Sequence, residues 1–102
     1  MPEGPSIVIL KQELASFKGK KVLAASGYAK IDLSRLKDKK ITAIKSWGKH
    51  LLICFRGFTI RIHLLLFGTY RINERKDANP TLRLSFEKEE LNFYTCAVKI
   101  ID

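Results

Sequence analysis

The chain has 102 residues, enough for one domain with a modest core, and its apolar content of 46% excludes pervasive disorder. No apolar stretch is long enough to span a bilayer, and the acidic, proline-containing start is not typical of a signal peptide, so we expect a soluble cytoplasmic protein. Nineteen Lys and Arg against ten Asp and Glu give a net charge of +9, which favours a polyanionic partner. A lysine-rich solvated surface explains the charge equally well.

The first predicted element is an amphipathic helix. Apolar residues with spacings of three and four lie on one face of it: Ile7, Leu10, Leu14 and Phe17. Ser6 suits an N-cap, and Gly19 suits the stop after the last turn.

After Gly19 the pattern changes to short segments with two-residue alternation, which is typical of strands. We predict strands at Lys21–Ser26, Lys40–Trp47, His50–Phe55, Phe58–Leu64, Gly68–Asn73, Thr81–Glu87, Leu91–Cys96 and Val98–Ile101. Arg56-Gly57 and Glu87–Glu90 suit tight hairpin turns, and polar Glu74–Pro80 suits a mobile loop. The pattern therefore predicts a mostly β fold: a two-layer antiparallel β-sandwich or flattened barrel of about eight strands with an N-terminal α-helix.

Two cysteines, Cys54 and Cys96, fall on predicted strands without CxxC spacing. Only His50 and His63 could join them as metal ligands, whereas a zinc site needs about four ligands in paired spacings. We therefore expect no metal and two buried thiols in a reducing compartment.

The first residues carry a possible nucleophile. A small second residue such as Pro2 commonly leads to removal of Met1, which exposes a secondary amine, and an α-amino group titrates near ~7.7–8.0. Attack of this amine on an aldehyde-level carbon gives an iminium ion, whose positive charge makes the adjacent carbon acidic. Glu3 could deliver or accept the proton. Most N-terminal prolines only shape a turn, so this feature alone is weak.

Three segments together resemble the formamidopyrimidine-DNA glycosylase/endonuclease VIII family. Met1–Pro5 (MPEGP) is similar to the family's N-terminus, with Gly4 closer to the endonuclease VIII branch. Trp47–Leu52 (WGKHLL) resembles the segment with an essential lysine, and Ile62–Ile72 (IHLLLFGTYRI) resembles the strand and turn that insert side chains into the DNA stack. Their order and spacing fit the N-terminal catalytic domain, so the resemblance covers residues 1–102.

The resemblance implies a base-excision repair enzyme that binds damaged double-stranded DNA. Such an enzyme would be cytoplasmic and associated with the nucleoid. Pro2 would attack C1′ of the damaged nucleotide and form a Schiff base, Glu3 would act as general acid/base, and β,δ-elimination would cut the strand. Lys49 would support catalysis by holding a phosphate next to the lesion, and His63 would contact phosphate. The alternative to a functional role is that Lys49 is simply a lysine of a hairpin turn and that His63 only contributes to the structure of its strand.

The resemblance also implies a wedge that fills the gap left by a flipped nucleotide, formed by Leu66 and Phe67 and, less clearly, by Leu65. These residues break the two-residue alternation just before Gly68, and a core corner under a glycine turn is the alternative reading.

The chain departs from the family in three ways. Ser6 replaces a second glutamate, and Leu65 and Leu66 stand where the endonuclease VIII branch has polar wedge residues. The C-terminal helical domain and its usual zinc finger are absent, so we expect no metal or other cofactor in residues 1–102 and weak or no activity of this part alone. An attached Met1 would block the amine of Pro2.

Two hypotheses from other classes remain beside the bifunctional glycosylase/AP lyase. One is a basic β-domain that binds nucleic acid without catalysis, and the other is a structural β-sandwich that docks onto protein partners. Covalent trapping on abasic DNA distinguishes the enzyme from the non-catalytic DNA-binding domain. A steep loss of DNA binding with rising salt would argue against the protein-docking domain.

Overall fold

The structure is a computed structural model that describes residues 4–101, with the backbone alone described at residues 4–8 and 65–67. One helix precedes six strands in the described range. Helix α1 spans Gly4–Leu14 and continues as a short 3₁₀ turn at Ala15–Phe17, and a second 3₁₀ turn lies at Leu33–Arg35. The strands are β1 (Ala24–Ser26), β2 (Ala43–Trp47), β3 (His50–Phe55), β4 (Phe58–Ile72), β5 (Leu82–Ser85) and β6 (Glu90–Ile101).

The predicted helix is confirmed, with its start earlier than expected. It begins at Gly4, so Ser6 lies inside the helix and is not its N-cap. Leu10, Leu14 and Phe17 are buried in the core, as their spacing predicts. Gly19 has a φ of 89°, a left-handed conformation that glycine adopts without the steric penalty of a Cβ, and it marks the change of direction after the 3₁₀ turn.

The mostly β, antiparallel character of the fold is confirmed, but the described strands number six and not about eight. Phe58–Leu64 and Gly68–Asn73 belong to one long strand, β4, which continues through a bulge. Likewise, Leu91–Cys96 and Val98–Ile101 are both parts of β6. Breaks in the alternation therefore mark irregular pairing here and not strand ends.

The described strands form a single antiparallel sheet, in the order β1-β5-β6-β4-β3-β2, which is not a closed barrel. Inward residues from distant strands, such as Leu84 of β5 and Ile53 of β3, share one hydrophobic core, so the sheet curls around it. An isolated bridge between Lys21 and Lys40 joins the segments that precede the two edge strands. The sheet thus approaches closure in the described residues without a continuous ladder across this seam.

The strands have one buried face and one outer face. In β3, Leu51, Ile53 and Phe55 are buried, and the intervening residues point outward. Cys96 is buried, which raises the pKa of its thiol to about 11. Cys54 is also free, but it is only half-buried because it lies on the outer face of β3; the prediction of two buried thiols is therefore wrong for Cys54.

The loop between β4 and β5, predicted to be mobile from its composition, is bonded to β6 at two positions. The backbone N–H of Lys76 donates to the Tyr94 hydroxyl at 2.9 Å. The buried amide of Asn92 donates to the carbonyl oxygen of Glu74 at 2.8 Å. These bonds satisfy polar groups that would otherwise be buried unpaired. Among the described helices, none is long and apolar enough to cross a membrane.

Candidate DNA-binding site

The turn between β2 and β3 consists of Gly48 and Lys49, between the paired residues Trp47 and His50. Gly48 has a φ of 58°, which suits glycine in a two-residue hairpin turn. The Lys49 side chain is exposed at the tip of this turn. Its ammonium group is therefore available to a ligand anion, as the prediction for Lys49 requires.

His50 and His63 face each other across β3 and β4. Their ring centroids are 4.8 Å apart, with a tilt of 57° between the ring planes. On the other side, Trp47 of β2 stacks on His50 with centroids 6.0 Å apart and an angle of 18°. Trp47 nevertheless remains 69% exposed. An aromatic ladder, Trp47–His50–His63, therefore crosses three strands directly behind the lysine turn.

The two imidazoles retain unused hydrogen-bonding capacity. Neither Nδ1 of His50 nor Nε2 of His63 has a hydrogen-bond partner among the described residues, although both atoms are shielded from solvent. Burial lowers the pKa of His50, and the nearby charges of His63 and Arg61 lower it further. His50 is thus held neutral at physiological pH, and a neutral imidazole can both donate and accept a hydrogen bond.

A large bulge in β4 begins directly after this histidine pair. Leu64 pairs with Cys96 and Thr69 pairs with Tyr94, so four residues of β4 face only Thr95 of β6. Thr95 takes a φ of 51°, which is uncommon for a β-branched residue. Such strained residues cluster at functional sites.

The bulge contains the predicted wedge. The backbone of Leu65, Leu66 and Phe67 lies in the unpaired stretch of β4, and their side chains lie outside the described part of the chain. Lys49, His63 and this stretch are at the same end of the β3–β4 hairpin, because β3 begins and the regular part of β4 ends there. Pro2 and Glu3 lie outside the described residues, so their predicted roles stay predictions.

No functional role was predicted from the sequence for His50, Trp47 or Thr95. A signal for His50 was present: the two-residue turn Arg56-Gly57 pairs Phe55 with Phe58, and counting back along both strands pairs His50 with His63. Within the described part of the chain, no three His, Cys, Asp or Glu residues are grouped to hold a metal ion.

Solved structures of proteins in complex with DNA share this fold. The Lactococcus lactis Fpg (MutM) in complex with FAPY-dG containing DNA matches with a TM-score of 0.85 at 19% identity, over 95% of this chain and 43% of that one. The wild-type Lactococcus lactis enzyme with N7-benzyl-Fapy-dG containing DNA matches with a TM-score of 0.86 at 20% identity, over 98% and 44%. A MutM complex with carbocyclic 8-oxo-G containing DNA gives the same values.

This chain therefore spans less than half the length of these structural relatives. No curated protein sequence matches it. The model of one protein family, described as the formamidopyrimidine-DNA glycosylase N-terminal domain, matches residues 1–96. The chain belongs to this family.

Proposed function

We propose that this chain is the nucleophile-bearing domain of a bifunctional DNA glycosylase/AP lyase that removes oxidised bases in base-excision repair. The observation that carries the proposal is the grouping of Lys49, His63 and the bulged stretch of β4 at one end of a hairpin. An exposed lysine, an imidazole beside it and a displaced strand segment suit a flipped nucleotide and its phosphate. Family membership and the DNA complexes of the structural relatives support this assignment.

In the proposed chemistry, the neutral secondary amine of Pro2 attacks C1′ of the damaged nucleotide. The C1′–N bond to the base breaks, and the base leaves with the bonding electrons and takes up a proton. Glu3 protonates the sugar ring oxygen as the ring opens, which leaves an iminium ion between Pro2 and C1′. Loss of a C2′ proton expels the 3′ phosphate, and a second elimination expels the 5′ phosphate.

The described residues would position the DNA for these steps. Lys49, exposed at its turn, would hold the phosphate next to the lesion as a point charge. His63 would contact a neighbouring phosphate with its ring, and the stacked rings of His50 and Trp47 would restrict its rotation. Leu66 and Phe67, with Leu65 beside them, would fill the space of the flipped base.

Borohydride trapping tests the proposal. Borohydride reduces the iminium to a stable amine, so a preparation from which Met1 has been removed should form a covalent adduct with abasic-site duplex DNA. The same chain with Met1 retained is the matched control, because its Pro2 nitrogen is an amide and cannot attack. Peptide mapping should place the adduct on Pro2.

The same assay is repeated with a chimera that joins residues 1–102 to the remaining part of the Lactococcus lactis enzyme. We expect weak trapping by the chain and stronger trapping by the chimera, because the additional DNA contacts offset the energy needed to bend and flip the duplex. Lys49→Ala should reduce trapping by both forms, whereas Lys37→Ala, an exposed lysine on a different loop, should not. Absence of an adduct with both Met1-free proteins would refute the enzymatic proposal.

A second candidate, a basic β-domain that binds nucleic acid without catalysis, is favoured by the net charge of +9 alone. It predicts salt-dependent binding of duplex DNA and no adduct in either preparation. Adduct formation through Pro2 would exclude it.

A further inference from the structure

The outer face of strands β2, β3, β4 and β6 has a regular arrangement of cations. The strand register places its side chains in three rows across the sheet. The row nearest the lysine turn is Trp47, His50, His63 and Ala97; the next is Lys45, Leu52, Arg61 and Lys99; the third is Ala43, Cys54, Thr59 and Ile101. The second row thus brings three cations to one line across four strands, and we call Lys45, Arg61 and Lys99 the cationic row.

No carboxylate belongs to these three rows. Residues 39–73 contain seven Lys and Arg and no Asp or Glu, and residues 91–101 contain one lysine and no acid. The ion pairs described in this structure are elsewhere: Lys20 with Glu89, and Arg75 and Arg83 with Glu90. The three rows therefore concentrate positive charge, and none of their own residues carries a carboxylate to neutralise it.

The cationic row is accessible and long enough for a polyanion. Lys45 and Lys99 are exposed, and Arg61 is half-buried between them. With neighbouring strands about 4.8 Å apart, the row extends over roughly 14 Å from β2 to β6. Since duplex DNA rises about 3.4 Å along its helix axis per base pair, the row covers the axial rise of about four base pairs.

The cationic row is also continuous with the candidate site. Rows on one face of a sheet are about 7 Å apart, so Arg61 follows His63 along β4, and Lys45 follows Trp47 along β2. A DNA backbone bound at His63 and Lys49 therefore has a cationic path beside it on the same face. An acidic protein would meet the same charges, but continuity with the candidate DNA site favours the nucleic acid.

We propose that Lys45, Arg61 and Lys99 form a second contact with the phosphate backbone, which binds duplex DNA beside the lesion and without regard to base sequence. The inference rests on the proposed function in one respect, the identity of the polyanion as DNA. Lysine and arginine contacts to phosphate carry no sequence information, so this surface would add affinity for DNA in general and support movement along it.

The test compares Lys45→Ala/Lys99→Ala with a matched control, Lys37→Ala/Lys88→Ala, which removes two exposed lysines from loops outside the three rows. Arg61 is kept because its charge acts on His50. Binding to an undamaged duplex several helical turns long is measured by fluorescence anisotropy at a series of salt concentrations. Circular dichroism checks that both double variants are folded.

Each phosphate contact contributes about 0.9 to the slope of log K against log salt, so we expect the first double variant to lower the slope by roughly 2. The control double variant should keep the slope of the unsubstituted chain. An unchanged slope in the first variant, or an equal loss in both, would overturn the inference. Borohydride trapping by the unsubstituted protein is scored separately, so a failure of the proposed chemistry is distinguishable from a failure of the cationic row.

Discussion

Replacing Thr95 by glycine should stabilise the fold, because Thr95 holds the left-handed conformation opposite the bulge of β4. Its φ is 51°, and its side chain is exposed. The left-handed region costs roughly 1–2 kcal/mol for a residue with a Cβ. Glycine avoids this steric cost, but its greater conformational entropy in the unfolded chain destabilises the folded state by about 0.5–1 kcal/mol. The net gain for Thr95→Gly is therefore about 0.5–1 kcal/mol.

Urea unfolding followed by far-UV circular dichroism measures this gain. Thr95→Ala is the matched control: it removes the Thr γ atoms but keeps the Cβ, so we expect its stability to stay within about 0.5 kcal/mol of the unsubstituted chain. For a domain of this size, the expected gain of Thr95→Gly corresponds to a rise in Tm of roughly 2–8 °C. A glycine variant less stable than the alanine variant would refute the assignment of strain to this residue.

The same pair of variants tests what the strain does for the site. Glycine accepts many more backbone conformations than alanine, so it no longer fixes the geometry of β6 opposite Leu65–Phe67. We expect Thr95→Gly to be trapped on abasic DNA less efficiently than Thr95→Ala, despite its greater stability. Equal trapping would show that the strained geometry has no role in DNA binding.

The remaining predictions concern stability. Gly27→Ala should lower the free energy of unfolding by about 3 kcal/mol or more, as measured by urea unfolding, because a Cβ there would lie 2.3 Å from a backbone carbonyl oxygen. Gly57→Ala is the control, because no atom lies within 4 Å of its Cβ. It should lower the free energy of unfolding by only about 1–2 kcal/mol, which is the cost of its positive φ. Bonds from Arg75 and Asn92 lower the pKa of Glu90 to about 2. Its stabilisation, roughly 1–2 kcal/mol after solvent screening, is present above pH ~4.5 and lost toward pH ~2, so the stability difference between Glu90→Gln and the unsubstituted chain should shrink over this window. Asn92→Leu should cost about 1–3 kcal/mol at pH 7, because the buried Asn92 amide loses its hydrogen bonds with Arg83 and with the carbonyl oxygen of Glu74.

Much of the β3–β4 hairpin could be predicted from the sequence. The alternation of Ile60 and Ile62 with Arg61 and His63 indicates the buried face, and the two-residue turn at Arg56-Gly57 sets the register. The hydrophobic pattern and the turn length are enough to predict this pairing, because the two strands are adjacent in the sequence and no distant segment is needed to form it.

The bulge could not be predicted in the same way. The run Leu64–Phe67 breaks the alternation, and that break is compatible with a strand end, a core corner or a bulge. Which one forms depends on β6, about thirty residues later, and on the conformation of Thr95, which no local propensity favours. The start of the helix could not be predicted for a similar reason. A serine N-cap is favoured over other residues by only about 1 kcal/mol, so the capping preference of Ser6 does not decide where the helix begins.

The position of Trp47 decides what the intrinsic fluorescence of this protein can report. It is the sole tryptophan of the chain, and it lies at the β2–β3 turn with most of its indole in solvent. Its emission will therefore change little when the apolar core forms. It will respond to a ligand that covers the turn or to a change in the charge of the adjacent His50 ring. Tryptophan emission is thus a label-free local probe of the candidate site, and the core must be followed by a different signal.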